Sequence, residues 1–297
     1  MTGAVVSHWP WPAPELAWPA LASATPVESA VSIRDTVYRI VLIIGLLAVG
    51  WFILKARARR STGWAQRTYL RLDPVLQALT IWLRDSPATF VYMATWTATS
   101  IIVQGAPAPL ADALDVSNST NIVGILTQPG RVLMASALIV AENGFAFMGY
   151  VVVYVLITAR LEQRIGSARV IIVAVASHVL GSLITVGLES ILIHAEILPK
   201  TTVITADVGV SYVMVGTCAG YMLSISKKWR WWYFAALFVG LVLPVLIVRD
   251  IWSLGHLIAA TIGLITTAIV RQWGVRPDLP WRALVRTHPA RPLPTWS

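Results

Sequence analysis

Charged residues are scarce in this sequence of 297 residues. Asp, Glu, Lys and Arg make up only 12% of it, whereas soluble domains carry about 25%. Hydrophobic residues reach 57% and stand in long blocks, such as 40–54 and 170–188, rather than at the spacing of an amphipathic helix. These features exclude a soluble globular protein and predict an integral membrane protein of the all-α class.

Cysteine and lysine are scarce as well. Cys218 is the only cysteine, which excludes an internal disulfide and a cysteine metal cluster, and we expect neither a metal nor another cofactor. Lysine supplies only four of the 23 basic residues, and the net charge of +9 comes mainly from arginines placed between the hydrophobic blocks. Basic residues in such places orient a membrane protein and meet headgroups. We therefore expect membrane lipids, and not nucleic acid, as partners.

Seven segments are predicted to be membrane spans, because they are apolar and long enough to cross a hydrocarbon core about 30 Å thick. They are 36–54, 88–105, 141–158, 170–190, 207–225, 231–248 and 253–270. With the N-terminus outside, the cytoplasmic segments hold 18 of the 23 basic residues; these segments are 55–87, 159–169, 226–230 and 271–297. The positive-inside rule thus predicts a multi-pass protein of the cell (inner) membrane, with the N-terminus outside and the C-terminus in the cytoplasm.

The same pattern predicts five regions along the chain. They are a flexible extracytoplasmic N-terminus (1–35), an extra transmembrane helix (36–54), a basic amphipathic cytoplasmic linker (55–87), a six-helix membrane domain (88–270) and a basic cytoplasmic tail (271–297). Within the membrane domain, 106–140 is the longest connection. Its apolar turns, at 122–126 and 132–139, predict interfacial or re-entrant helices rather than spans.

Few groups inside the predicted spans can carry chemistry. They are His178, Glu189, Asp207, Ser211, Thr217, Cys218, Asp250 and His256. Ser211 lies about 6 Å below the outer end of its span, and His256 lies about 9 Å below Asp250 on the last span. A serine and a histidine at matching depth can form a nucleophile and its base if the two helices touch.

Small residues on both helices predict that they do touch. Gly209, Gly216 and Gly220 line the serine span, and Ala259, Ala260 and Gly263 follow His256. Such residues at three- and four-residue spacing let two backbones approach closely. We therefore expect the Ser211 hydroxyl within about 4 Å of His256.

With these motifs the sequence resembles the rhomboid family of intramembrane serine proteases. The family's Gly-x-Ser-Gly motif corresponds to Gly209–Tyr212, and its His-x-x-small-x-x-x-Gly motif corresponds to His256–Gly263. A Glu-x-x-x-Gly signature after the second core helix is matched by Glu162 and Gly166. The resemblance covers about 88–270. It implies a rhomboid-like six-helix core, with Ser211 as nucleophile, His256 as general base, and transmembrane segments of client proteins as substrates.

Two departures from the family pattern concern the site. Tyr212 stands where the family has glycine, so a bulky ring lies beside the nucleophile. We expect the Tyr212 hydroxyl to form a hydrogen bond with Asp207, Asp250 or His256. The family also has a His-x-x-x-Asn pair that helps to hold the oxyanion. By count, its two positions correspond to Ala146 and Tyr150 here, which we expect to line the site. Asn143 is the nearest amide, about two turns too early.

These departures leave two functions open. In one, the chain is an intramembrane serine protease with a weakened oxyanion site, since losing one donor costs about 2.7–4 kcal/mol of transition-state stabilisation. In the other, it is a non-proteolytic rhomboid-like pseudoprotease that binds client helices or partners in the membrane. Taken singly, Ser211 and Cys218 can serve helix packing, and His178 is expected to make a hydrogen bond between helices.

Overall fold

The computed structural model of the chain describes residues 26–60, 63–140, 144–204, 207, 209–248 and 250–275. Residues 1–25 of the predicted flexible N-terminus, Asn143, and residues 276–297 of the predicted tail lie outside the described residues. All regular secondary structure in the described part of the chain is helical. This confirms the predicted all-α class.

The described chain contains the following α-helices: Pro26–Arg60, Trp64–Asp85, Pro87–Gln104, Ala108–Ser117, Ile122–Thr127, Pro129–Ser136, Gly144–Val153, Ala159–Ile165, Ser167–His194, Val210–Tyr221, Lys227–Leu237, Leu243–Ile247 and Ile251–Arg271. Two π-helical segments, Tyr154–Thr158 and Phe238–Val242, each join two α-helices into one longer rod. Two 3₁₀ turns cover Lys200–Ile204 and Met222–Ser224. We call Val210–Tyr221 the serine helix, Ile251–Arg271 the histidine helix, and Trp64–Asp85 the surface helix.

Four helices of the described chain are long and apolar enough to cross a membrane. They are Ala146–Ile165, Ser167–His194, Lys227–Ile247 and Ile251–Arg271, and Val210–Ser224 is a shorter apolar helix. The chain thus has the helices of a polytopic membrane protein. The predicted spans 36–54 and 88–105 lie in the helices Pro26–Arg60 and Pro87–Gln104. That these two helices also cross the membrane stays a prediction.

The first helix is longer than the predicted span at both ends. It begins at Pro26, because neither proline nor glycine interrupts the sequence from 27 to 44, and it continues through Gly45 and Gly50 to Arg60. Most of the predicted linker forms the surface helix, whose Tyr69 ring stacks on Trp51 of the first helix with centroids 5.5 Å apart. Pro87 starts the next helix at a position where its missing N–H costs nothing.

The centre of the fold is formed by Ser167–His194, the serine helix and the histidine helix. The serine and histidine helices approach each other closely at Gly216 and Gly263, because a Cβ at Gly263 would lie 2.3 Å from the Gly216 carbonyl oxygen. A Cβ at Gly220 would lie 2.1 Å from Thr267 Oγ1. The predicted close packing through small residues is therefore confirmed.

Glu162 joins three helices at the other end of the bundle from the serine. Its fully buried carboxylate accepts hydrogen bonds from Ala88 N (2.9 Å), Thr89 N and Thr89 Oγ1 (both 2.7 Å), and Ser167 Oγ (2.6 Å). Two of these donors are free N–H groups at the start of Pro87–Gln104, which the carboxylate caps. Gly166 follows with φ 87° and ψ 159°, a conformation essentially confined to glycine, and so permits the sharp turn into Ser167–His194.

Candidate active site

Ser211 and His256 meet between the serine and histidine helices. The Ser211 Oγ lies 2.8 Å from His256 Nε2, within hydrogen-bond distance. Ser211 is buried and His256 is half-buried. The expected proximity is confirmed. The roles of nucleophile and base stay predictions, because the distance alone does not establish a reaction.

The turn that carries Ser211 is held by the long connection 106–140. Gly209 N donates to the Ser136 carbonyl (2.9 Å), and Thr120 N donates to the Asp207 carbonyl (2.8 Å). The connection forms three short helices, one more than expected, and Asn121 caps the middle one by accepting from Gly124 N (2.7 Å). These backbone bonds order the start of the serine helix, and no motif in the sequence marked Ser136 or Thr120 as contributors.

Ser211 is the second residue of the serine helix, after Gly209 as the N-cap. The N–H groups of the first turn of a helix have no acceptor within that helix. They also form the positive end of the helix dipole, which carries about half a unit charge. That the Ser211 backbone N–H holds an oxyanion stays a prediction.

Tyr212 packs against the histidine rather than projecting into solvent. Its side chain is fully buried, and its ring centroid lies 5.4 Å from that of His256, with the planes tilted by 46°. Its hydroxyl donates to Asp207 Oδ2 (2.9 Å), one of the three expected partners. Gly255 and Gly181 provide the room for the ring, since Cβ atoms there would lie 2.1 Å from Tyr212 Oη and 2.9 Å from Cδ1.

Two residues of the π-helical segment Tyr154–Thr158 hold the serine helix from a third side. The Tyr154 hydroxyl donates to the Val210 carbonyl (2.9 Å), and the hydroxyls of Thr158 and Thr217 lie 2.9 Å apart. A π-helical turn changes the direction of the side chains around it and is common at functional sites. In the sequence, Tyr154 and Thr158 are marked only as two polar residues that lie four positions apart in an apolar span.

His178 supports the same turn from Ser167–His194. Its Nε2 lies 2.8 Å from the Leu133 carbonyl, which can only accept, so Nε2 donates. The ring lies against Gly209, where a Cβ would be 1.9 Å from Cε1. His178 is therefore a hydrogen-bonding residue, as expected, although its partner is a short helix of the long connection and not another span.

The remaining predicted positions divide between caps and packing. Asp250 caps the histidine helix, because its Oδ1 accepts from Ser253 N (2.6 Å). Tyr150 belongs to an aromatic and aliphatic cluster with Trp96 and Val210, whereas Ala146 is exposed. The site-lining role of Ala146 and Tyr150 stays a prediction. Among the described residues, no group of three His, Cys, Asp or Glu side chains could hold a metal ion.

Fold and site together define a class, the helical multi-pass membrane proteins in which a serine and a histidine meet between two closely packed helices. The family model described as rhomboid-like protein matches residues 81–275 of the chain. The chain belongs to this rhomboid-like family. Neither the curated proteins nor the solved structures include a significant match. The match begins within the surface helix, slightly before the expected boundary at residue 88.

Proposed function

We propose that this chain is an intramembrane serine protease that cleaves transmembrane segments of client proteins. The observation that carries the proposal is the 2.8 Å distance between Ser211 Oγ and His256 Nε2. This distance lies in the range of a nucleophile and its general base, about 2.6–3.2 Å. Membership of the rhomboid-like family supports the assignment of a membrane-embedded substrate.

In the proposed reaction, Ser211 Oγ attacks the carbonyl carbon of the scissile peptide bond while His256 Nε2 takes the hydroxyl proton. The resulting oxyanion is stabilised by backbone N–H groups at the start of the serine helix. His256 then gives its proton to the leaving amine as the peptide bond breaks. A water molecule, deprotonated by His256, hydrolyses the acyl-enzyme and regenerates the Ser211 hydroxyl.

The oxyanion site is the weak part of this machinery. Alanine and tyrosine occupy positions 146 and 150, where the family has a histidine and an asparagine. Loss of one such donor lowers the rate by about 10²–10³. We therefore expect Ser211 to be reactive while peptide cleavage by the unmodified protein is slow.

The test is labelling of the purified protein with a serine-directed fluorophosphonate, compared with Ser211→Ala and His256→Ala. Ser182→Ala is the matched control, because Ser182 is a fully buried serine on a neighbouring helix. We expect both dyad variants to lose labelling and the control to keep it. Labelling that persists in Ser211→Ala would contradict the proposal.

The second candidate is a non-proteolytic rhomboid-like protein that binds client helices or partners in the membrane. Two observations favour it: Ala146 is exposed, and Tyr150 packs in the cluster around Trp96. Absence of both labelling and cleavage, together with retention of a client transmembrane segment by Ser211→Ala, is the result expected for this alternative.

A further inference from the structure

Three arginines from three segments converge on the turn that ends the serine helix, at the end opposite Ser211. Their hydrogen bonds run from Arg164 Nη2 to the Ser224 carbonyl (2.9 Å), from Arg230 Nη2 to the Ile225 carbonyl (3.1 Å), and from Arg271 Nη1 to the Leu223 carbonyl (2.5 Å) and to Ser224 Oγ (3.0 Å). We call these three side chains the arginine cluster. No function discussed above uses it.

The charge of the cluster exceeds what the turn can balance. The carbonyl end of a helix carries about half a negative charge. The guanidinium groups of Arg230 and Arg271 alone bring two positive charges, more than this half charge offsets. Every acceptor described above for Arg230 and Arg271 is a carbonyl or hydroxyl oxygen, and these carry no formal charge. Helix capping therefore accounts for at most one of these two arginines.

The cluster also keeps donors for a further oxygen ligand. A guanidinium has five N–H groups, and Arg271 makes both of its contacts through one nitrogen. Arg230 Nε is buried without a hydrogen-bond partner. The side chains of Arg230 and Arg271 are only half-buried, so each is partly accessible from the surface. Several donors with a surplus of positive charge match the oxygens of a phosphate group.

The neighbouring residues indicate where the phosphate comes from. Trp229, Trp231 and Trp232 flank Arg230 and are largely exposed, at 59%, 76% and 73%. Exposed tryptophans beside arginines at the end of an apolar helix are typical of the headgroup region of a membrane. The cluster therefore lies at the depth of lipid phosphates.

We propose that the arginine cluster of Arg164, Arg230 and Arg271 is a binding site for the headgroup of an anionic phospholipid. One phosphate bridges the three guanidinium groups beneath the 222–225 turn and so links the three helices that carry them at the end of the serine helix. This site is independent of the Ser211–His256 pair.

The test is native mass spectrometry of the detergent-solubilised full chain with phosphatidylglycerol or phosphatidylcholine of the same acyl chains. We expect preferential retention of phosphatidylglycerol, and a loss of about tenfold or more in the double variant Arg230→Gln/Arg271→Gln. The matched control is Arg67→Gln/Arg84→Gln, which removes two exposed arginines from the surface helix. Equal losses in both double variants would overturn the proposal, because they would indicate diffuse surface charge.

Arg271→Gln removes bonds to the turn and can lower stability, so Arg230→Gln alone provides the second measurement. The hydrogen bond from Arg230 to the Ile225 carbonyl is local, because the two residues are only five positions apart in the chain. We expect a several-fold loss of phosphatidylglycerol retention with an unchanged melting temperature. Unchanged retention in this variant would contradict the site. Displacement of the lipid by an excess of inorganic phosphate would show that the ligand is a free anion and would overturn the lipid assignment.

Discussion

Tyr212 links His256 to Asp207. Its ring lies 5.4 Å from the imidazole, centroid to centroid, and its hydroxyl donates to the Asp207 carboxylate at 2.9 Å. At this distance the ring packs beside the imidazole and limits the space in which the imidazole can move. The residue that departs most from the family motif thus lies next to His256 and is anchored by Asp207.

The ring and the hydroxyl of Tyr212 can be separated by two variants. Tyr212→Phe keeps the ring and loses one hydrogen bond to a carboxylate, so we expect a cost of about 1–3 kcal/mol and largely retained labelling of Ser211. Tyr212→Leu removes the ring that packs beside His256, so we expect labelling to fall well below that of Tyr212→Phe. Melting temperature and labelling rate are the measurements. Equal labelling in the two variants would show that the ring has no role at His256.

The approach of the serine and histidine helices depends on Gly263. In Gly263→Ala the new methyl group would meet the Gly216 backbone, at 2.3–2.5 Å, so the helices must separate. We expect a loss of about 1–3 kcal/mol in stability and a lower labelling rate, because His256 lies two turns away on the same helix. Gly187→Ala is the control, since nothing lies within 4 Å of its Cβ position. A cost as large for Gly187→Ala would refute the explanation.

The buried carboxylate of Glu162 makes four hydrogen bonds as an acceptor. In Glu162→Gln the amide NH₂ group, which can only donate, would face the N–H and O–H donors that now bind the carboxylate. We therefore expect the free energy of unfolding to fall by about 3 kcal/mol. Thermal unfolding in detergent measures this. Glu196→Gln, at an exposed position, should change stability by less than about 0.5 kcal/mol. A Glu162→Gln protein as stable as the wild type would mean that the network does not hold these helices together.

The orientation in the membrane is tested by paired reporter fusions, one active only in the cytoplasm and one active only outside. Because 18 of 23 basic residues fall on one side, we expect cytoplasmic signals at residue 60, in the loop 159–169 and at the C-terminus. Fusions at residues 20 and 200 should report the outside. A cytoplasmic signal at residue 20 would contradict the arrangement with seven spans.

Much of the fold follows from linear features of the chain. Runs of apolar residues predicted the helices, and helical rise placed Ser211 and His256 at one depth. Glycine and alanine at helical spacing predicted the close approach at Gly216 and Gly263. His178 was expected to make a hydrogen bond, but Ser136 and Thr120 were not predicted to hold the turn before Ser211. The bonds from Gly209 N to the Ser136 carbonyl and from Thr120 N to the Asp207 carbonyl join backbone groups, and no side-chain pattern reports which backbone groups meet across a fold.

Hydropathy, charge distribution and residue spacing depend on neighbours along the chain, so the sequence alone determined the helical class, the candidate spans and the pair of reactive groups. Only the tertiary structure decided that the pair meets. Ser211 and His256 are 45 residues apart, and their contact depends on how two separate helices pack together. It also decided that the Tyr212 ring turns to His256 and that three arginines share one turn. A side chain's direction depends on the packing of helices distant in sequence, where glycines and a π-helical turn set the available space.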